Sequence, residues 1–273
     1  MSTLYVVATP LGNLEDLTLR ALRILSEVPL VLAEDTRHTR RLLARYDLHP
    51  RLLSCHAHTT PAQYAALVAA LDDGDAALVS DAGTPGVSDP GIALVQAALQ
   101  HGHTVVPVPG PSAPATALSV SGLPADAYLF LGFLPRRAAP RRAQLRQVAG
   151  LPYTLVVFEA PHRLAASLAD LAAVLGDRTV AVNRELTKRF EEVWRGTLAG
   201  AASEWSARTP VGEFTLVIAG ASADRAVQDE DAVRAALASV RAGGVGRREA
   251  SRIVAEQAGW AARDVYRLWE DRP

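Results

Sequence analysis

The 273 residues carry 28 basic and 29 acidic side chains for a formal net charge of -1, so the chain lacks a global electrostatic footprint for nucleic acid and any such contact must come from a local patch. One cysteine, Cys55, excludes an internal disulfide and points to a reducing compartment, the cytoplasm. No apolar run approaches the ~18 residues of a membrane span, and the first residues enter a strand without a charged leader, so we read neither a targeting segment nor a membrane protein.

The first half alternates short β-rich runs with segments of helical period. "LYVVAT" (4 to 9), "LVLAED" (30 to 35), "RLLSCH", "AALVSD" (76 to 81) and "HTVVPV" (103 to 108) predict strands. Intervening helices predict a mostly parallel sheet covered on both faces, over residues 1–115. A second set, "YLFLGF" (128 to 133), "YTLVVFEA" (153 to 160), "TVAVNREL" (179 to 186) and "GEFTLVIAG" (212 to 220), lacks room for a crossover at every step. A second α/β domain with a mixed sheet is expected over 116–222. A polar linker (221 to 231) then leads to a helical, helix-turn-helix-like region, 229–273, with a short turn at Gly259.

Loops rich in glycine and proline follow three strands: "TPLGNLED" (9 to 16), "SDAGTPG" (80 to 86) and "VPGPSAPA" (108 to 115). At the carboxyl edge of an open α/β sheet they can form one ligand cleft, or be three ordinary turns. Ser88-Asp89-Pro90 reads as a helix start, with Asp89 as the cap and Pro90 in the first turn. Ser112 can cap the helix after the third loop. Glu34 and Asp35 end a strand ahead of Arg37, His38, Arg40 and Arg41; they suit acid/base and phosphate work, or a capped helix with a solvated face. "CHAH" (55 to 58) has too few ligand-type residues for a metal, and none is expected. "RRAAPRRAQLR" (136 to 146) holds five arginines and no acid, as a nucleic-acid backbone contact or as a solvated helix. Of the 28 basic residues only Lys188 is lysine, which excludes a P-loop because it follows Thr187; "GxGxxG" is also absent. A lone lysine among arginines hints at a compact or deprotonatable charge.

Taken together, "LYVVATPLGNLEDLTLRALRIL", "LAEDTRHTRRLL", "ALVSDAGTPGVSDPG", "VPVPGPSAPATALSVSGLP", "GFLPRR", "VFEAPHR" and "RELTKRFEEVWRGTL" resemble the ribosomal RNA small subunit methyltransferase I family, of the tetrapyrrole-methylase-like class. The resemblance covers residues 4 to about 220. Phe158 and Ala160 depart from it, standing where tyrosine and serine are expected. It implies two α/β domains of tetrapyrrole-methylase type with a cleft between them, S-adenosylmethionine as methyl donor, and a homodimer. It also implies methylation of a cytidine ribose 2'-oxygen in 16S ribosomal RNA or the small subunit, at the decoding site. Cofactor contacts then fall on Leu11, Asp81, Gly83, Thr84, Ser112, Ala113, Glu159 and Ala160. Glu185 or Lys188, with Asp35 next, are the catalytic candidates, and Arg136, Arg137, Arg141 and Arg142, with the helix pair 246 to 270, are the RNA-holding ones. A tetrapyrrole-biosynthesis methylase is the rival of the same fold; a non-catalytic RNA- or ribosome-binding module is the rival of another class.

Overall fold

The computed structural model describes residues 2–56, 58–221, 230–242, 244–258 and 260–269. They form two compact units, one ending at Ala219 and one beginning at Gly220. Ala57 of the "CHAH" run, most of the expected linker and Gly259 lie outside the described residues.

The first unit contains two five-stranded sheets. In the first, β1 (Thr3–Val7), β2 (Leu30–Ala33), β3 (Arg51–Ser54), β4 (Ala76–Val79) and β5 (Thr104–Val108) are all parallel, in the order β3-β2-β4-β1-β5. β2 and β4 are buried along their whole length, as strands covered on both faces must be. On one face Leu4, Leu32 and Leu78 pack under α3 (Pro61–Ala69) and α4 (Ile92–Gln100). On the other, Val7, Val31 and Val79 pack under α1 (Leu19–Glu27) and α2 (Thr36–Arg45). Each such side chain, fully removed from water, contributes about 1.5–3 kcal/mol.

The chain leaves this sheet at Val108, and α5 (Ala113–Ser121) packs on the second one through Ala117 and Leu118. That sheet joins β6 (Tyr128–Phe133), β7 (Thr154–Glu159), β8 (Thr179–Arg184), β9 (Glu192–Thr197) and β10 (Phe214–Ile218) in the order β6-β7-β10-β8-β9. Only β6 and β7 are parallel; the other pairs are antiparallel, so the sheet is mixed. α6 (Ala138–Val148), α7 (Leu164–Leu175) and α8 (Leu198–Ala207) cover one face. On the opposite face α5 covers only part of the sheet, and that uncovered part builds the site below.

Among the described residues the second unit has three helices, α9 (Glu230–Ala242), α10 (Arg247–Ala258) and α11 (Ala262–Leu268), around Val233, Leu237, Val254 and Val265. Among the described residues no helix is long and apolar enough to cross a membrane.

The arginine run is not the uniform charged face expected of it. Arg136 and Arg137 are exposed, but Arg141 is 4% exposed. Its Nε donates to the buried Asp170 at 2.7 Å, and Nη1 donates to the Arg136 carbonyl at 3.1 Å. Arg142 reaches the same carboxylate at 2.6 Å from a half-exposed position. Arg141 is therefore a structural residue, because Asp170 must have a cation in the core. Arg141→Ala is expected to cost about 1.5–3 kcal/mol in urea unfolding, because the buried Asp170 carboxylate loses its buried charged partner and keeps only the half-exposed Arg142. Arg142→Ala is expected to cost no more than about 1 kcal/mol; equal losses would contradict this division of labour.

Candidate functional site

The three loops after β1, β4 and β5 meet at the carboxyl edge of the first sheet. Thr9 and Gly83 exchange backbone hydrogen bonds of 2.9 and 3.0 Å, and Thr9 Oγ1 donates to the Ser80 carbonyl at 3.1 Å. Thr84 Oγ1 donates to the Pro111 carbonyl at 3.1 Å, which ties in the third loop. Gly83 holds φ +80°, a left-handed conformation that a residue with Cβ adopts at a cost. Asp81 accepts from the Asp35 backbone N–H at 3.0 Å and so links the ends of β4 and β2.

A cavity of about 260 Å³ opens between these loops and the uncovered face of the second sheet. Leu11, Gly83, Thr84, Ser112 and Ala113 line it on one side, Glu159 and Ala160 on the other. Seven of the eight expected cofactor residues thus come together. Asp81, the eighth, lines an adjoining cavity of about 420 Å³. Glu159 is 1% exposed, and its carboxylate accepts from the Ala160 backbone at 2.8 Å and from Ser167, and pairs with Arg163. It stiffens the wall, its oxygens already occupied. Ser112 begins α5 without a side-chain capping bond.

The second cavity has a different lining, with His38, Arg41, Asp81 and Lys188 around Gly12; Leu11, Ala82 and Glu213 belong to both cavities. Lys188 Nζ donates to Glu185 at 3.0 Å and to Glu213 at 2.8 Å. Burial opposes its charge, but the two carboxylates outweigh this and raise its pKa, so Lys188 is a fixed ammonium and not a base. Burial likewise opposes the charge on Glu185, yet the Glu213 N–H and Lys188 lower its pKa. Glu185 and Thr187 hold φ +51° and +64°. Strained backbone at non-glycine residues is held by its surroundings, and here it presents Lys188 to the cavity. A Cβ on Gly12 would collide with the Lys188 stem, so only glycine lets the first loop lie against it.

Asp35 lines neither cavity. Its carboxylate caps α2 through the Arg37 N–H at 2.8 Å and pairs with the Arg37 guanidinium, which holds its pKa well below the usual range. In this geometry its carboxylate is committed to capping α2 and to Arg37. Asp89, expected as a helix cap, is not one: α4 begins at Ile92, with Gly91 at φ +134° as its cap. Asp89 instead lines the first cavity, where burial, against a hydrogen bond with Ser80, pushes its pKa up to about 6.

Sequence reasoning also missed Asn183, which lies within β8 and looked like strand interior, and Glu213, which looked like the polar edge of a strand. For His38 and Arg41 the signal was present, since one helical turn separates them on α2 and brings both to the second cavity. Among the described residues no group of three or more histidine, cysteine or acidic side chains is arranged to hold a metal ion.

The tetrapyrrole (corrin/porphyrin) methylase family model matches residues 3–202. Ribosomal RNA small subunit methyltransferase I of Synechocystis sp. is 46% identical over 98% of this chain and 97% of its own length. Its counterpart from Halalkalibacterium halodurans is 42% identical over 98% and 94%. Among solved structures, uroporphyrin-III C-methyltransferase from Thermus thermophilus complexed with S-adenosyl homocysteine is similar with a TM-score of 0.56 at 22% identity, covering 79% of this chain and 97% of that one. Diphthine synthase is similar with a TM-score of 0.61 at 15% identity, covering 80% and 90%. At these identities the structures show the shared fold.

The raised pKa of Asp89 has a sign that stability can report. A carboxyl that is harder to ionise when folded favours the folded state below its unfolded pKa, near 4, and that advantage is lost as pH rises through about 6. The urea midpoint should therefore fall between pH 4 and 7 more steeply in the wild type than in Asp89→Asn; parallel curves would remove Asp89 as the cause.

Proposed function

This chain belongs to the ribosomal RNA small subunit methyltransferase I family of the tetrapyrrole methylases, and on that premise we propose that it methylates the ribose 2'-oxygen of a cytidine in 16S ribosomal RNA. The family resemblance implies cytidine 1402, at the decoding site. The observation that carries the reading is the pair of adjoining cavities with one shared wall. The apolar one suits S-adenosylmethionine, and the one around His38, Arg41 and Lys188 suits an anionic nucleotide.

The residues fit this donor. It has no phosphate, and the loops offer small side chains and backbone groups instead of a phosphate cradle. It is a cation at sulfur, and Asp89 and Glu213 set carboxylates on the first cavity's wall. When bound, S-adenosylmethionine supplies an electrophilic methyl group. The loops fixed by Thr9, Gly83 and Thr84 orient donor and acceptor, and orientation contributes much of the rate in such a displacement. Lys188 sets a positive charge where the ribose oxygen gains negative charge. Glu185 holds that ammonium in position, and Glu213 and Asp81 are the carboxylates on the same wall that can receive the hydroxyl proton.

Exposed Arg136 and Arg137, with the helix pair 246 to 270, hold the RNA in this reading. The division into α/β halves near residue 115, read from the strand pattern, the homodimer implied by the resemblance, and the cytoplasmic setting read from the single cysteine complete it. Cys55 is buried, and burial pushes its thiol up to about 11, so it is an unreactive core thiol. A tetrapyrrole substrate is disfavoured, because the relatives at 46% and 42% identity carry the ribosomal RNA methyltransferase name.

Two measurements test the proposal. In single-turnover methylation of 16S RNA, Lys188→Ala should lose about 10²–10³-fold in rate, and Glu185→Gln a smaller factor. S-adenosylhomocysteine affinity, measured by calorimetry, should stay within about threefold; near-normal rates in both variants would sink the assignment. Converting Arg136 and Arg137 to glutamine should weaken RNA binding and flatten its log-log salt slope by about 0.7–0.9 per lost phosphate contact. An unchanged slope would return both arginines to the solvated surface.

A further inference from the structure

Four residues on neighbouring strands stand in register across the second sheet: Phe133 beside Phe158, Phe158 beside Thr215, and Thr215 beside Asn183. All four line the first cavity. One row further along, Val156, Val217 and Ala181 point to the same face and are covered by Ala117 and Leu118 of α5. The row ending at Asn183 is thus the first that α5 leaves open. It spans three strand spacings of about 4.8 Å each, long enough to underlie a bicyclic base.

Asn183 is the polar end of this row, and it is 0% exposed. Its Nδ2 donates to the Thr215 carbonyl at 3.0 Å and lies 3.5 Å from the Ala181 carbonyl. Those carbonyls fix which end of the amide is nitrogen, since the opposite orientation would set oxygen against oxygen. Among the described residues, Oδ1 is left buried with no hydrogen-bond partner. A buried acceptor without a partner is costly, and proteins keep one where a ligand supplies the donor.

Phe133, Phe158, Leu186 and Thr215 line the cavity that Asn183 also lines, an apolar setting for a flat ring, whereas the carboxylates of Asp89 and Glu213 serve a cation. Of the donors that S-adenosylmethionine carries, the ribose hydroxyls and the ammonium need polar or charged company. The exocyclic amine sits at the edge of an apolar ring. We propose that Asn183 reads the cofactor's base, its Oδ1 accepting a hydrogen bond from the adenine amine while the Phe133–Phe158–Thr215 row supports the ring. This rests on the reading of the first cavity as the cofactor site, and it names a residue that neither the sequence motifs nor the family resemblance marked.

The test compares S-adenosylhomocysteine with its purine-riboside analogue, which lacks only the amine, by calorimetry on the wild type, Asn183→Ala and Asn183→Ser. Wild type should prefer the adenosyl compound at least about tenfold, because a site built for an N–H donor rejects a ligand without it. Both variants should bind the two compounds within about threefold of each other. Equal binding of the two compounds by wild type overturns the proposal, as does a wild-type preference retained in either variant. If loss of the Nδ2 bonds unfolds both variants, as circular dichroism would show, the inosine analogue decides on wild type alone. Its carbonyl would face Oδ1, so affinity should fall below that of the purine riboside, and an affinity equal to the adenosyl compound overturns the proposal. Failure of wild type to bind S-adenosylhomocysteine at all would instead overturn the underlying cofactor reading.

Discussion

Two backbone hydrogen bonds between Thr9 and Gly83 hold the site together. They join the loops after β1 and β4, the two central neighbours of the first sheet, and they require the left-handed backbone at Gly83. Leu11 and Ala82 then come to the wall shared by both cavities, and Thr84 is brought within reach of Pro111. A loop set tied by its own backbone does not need a ligand to assemble it. Little ordering cost then remains when a ligand binds, which is how a weakly polar cavity can still be selective.

Charge is distributed unevenly across that wall. Burial raises the pKa of Glu34 and of Asp89, and nearby carboxylates add to it: Asp81 and Asp35 at Glu34, and Glu34, Asp81 and Glu213 at Asp89. Lys188, Arg41 and His38 line the second cavity together with Asp81 and Glu213. The ammonium of Lys188 keeps its charge because two carboxylates face it, and Glu185 keeps its own because the Glu213 N–H and Lys188 both bind it. Such mutual support is geometric as well as electrostatic, since the strained turn from Glu185 to Thr187 exists only in the folded chain.

The layered architecture was legible because each of its signals is local. Uninterrupted apolar strands announce a parallel sheet, and missing crossover length announces an antiparallel one. The three loops were legible for the same reason, as glycine and proline after a strand end. What escaped depends on which face of an element is covered, and sequence does not carry that. Asn183 alternates correctly as a strand residue, and only the extent of α5 decides that its face is open. Asp89 carries a complete local capping signature, yet Gly91 moves the helix start two residues past Pro90 and turns the carboxylate to the cavity. Arg141 shares its run with exposed arginines and is separated from them only by Asp170, twenty-nine residues on.

The scarcity of lysine has a practical consequence at the site. Lys188 carries the only ε-amine in the chain, so an amine-directed acyl or aldehyde reagent has a single side-chain target, and that target lies in the cleft. Because Glu185 and Glu213 keep it protonated, its reactivity should be low at neutral pH and should rise in alkali or when either carboxylate is neutralised. The residue assigned to the chemistry thereby doubles as a built-in reporter of its own electrostatic surroundings, readable by mass spectrometry without introducing a label elsewhere.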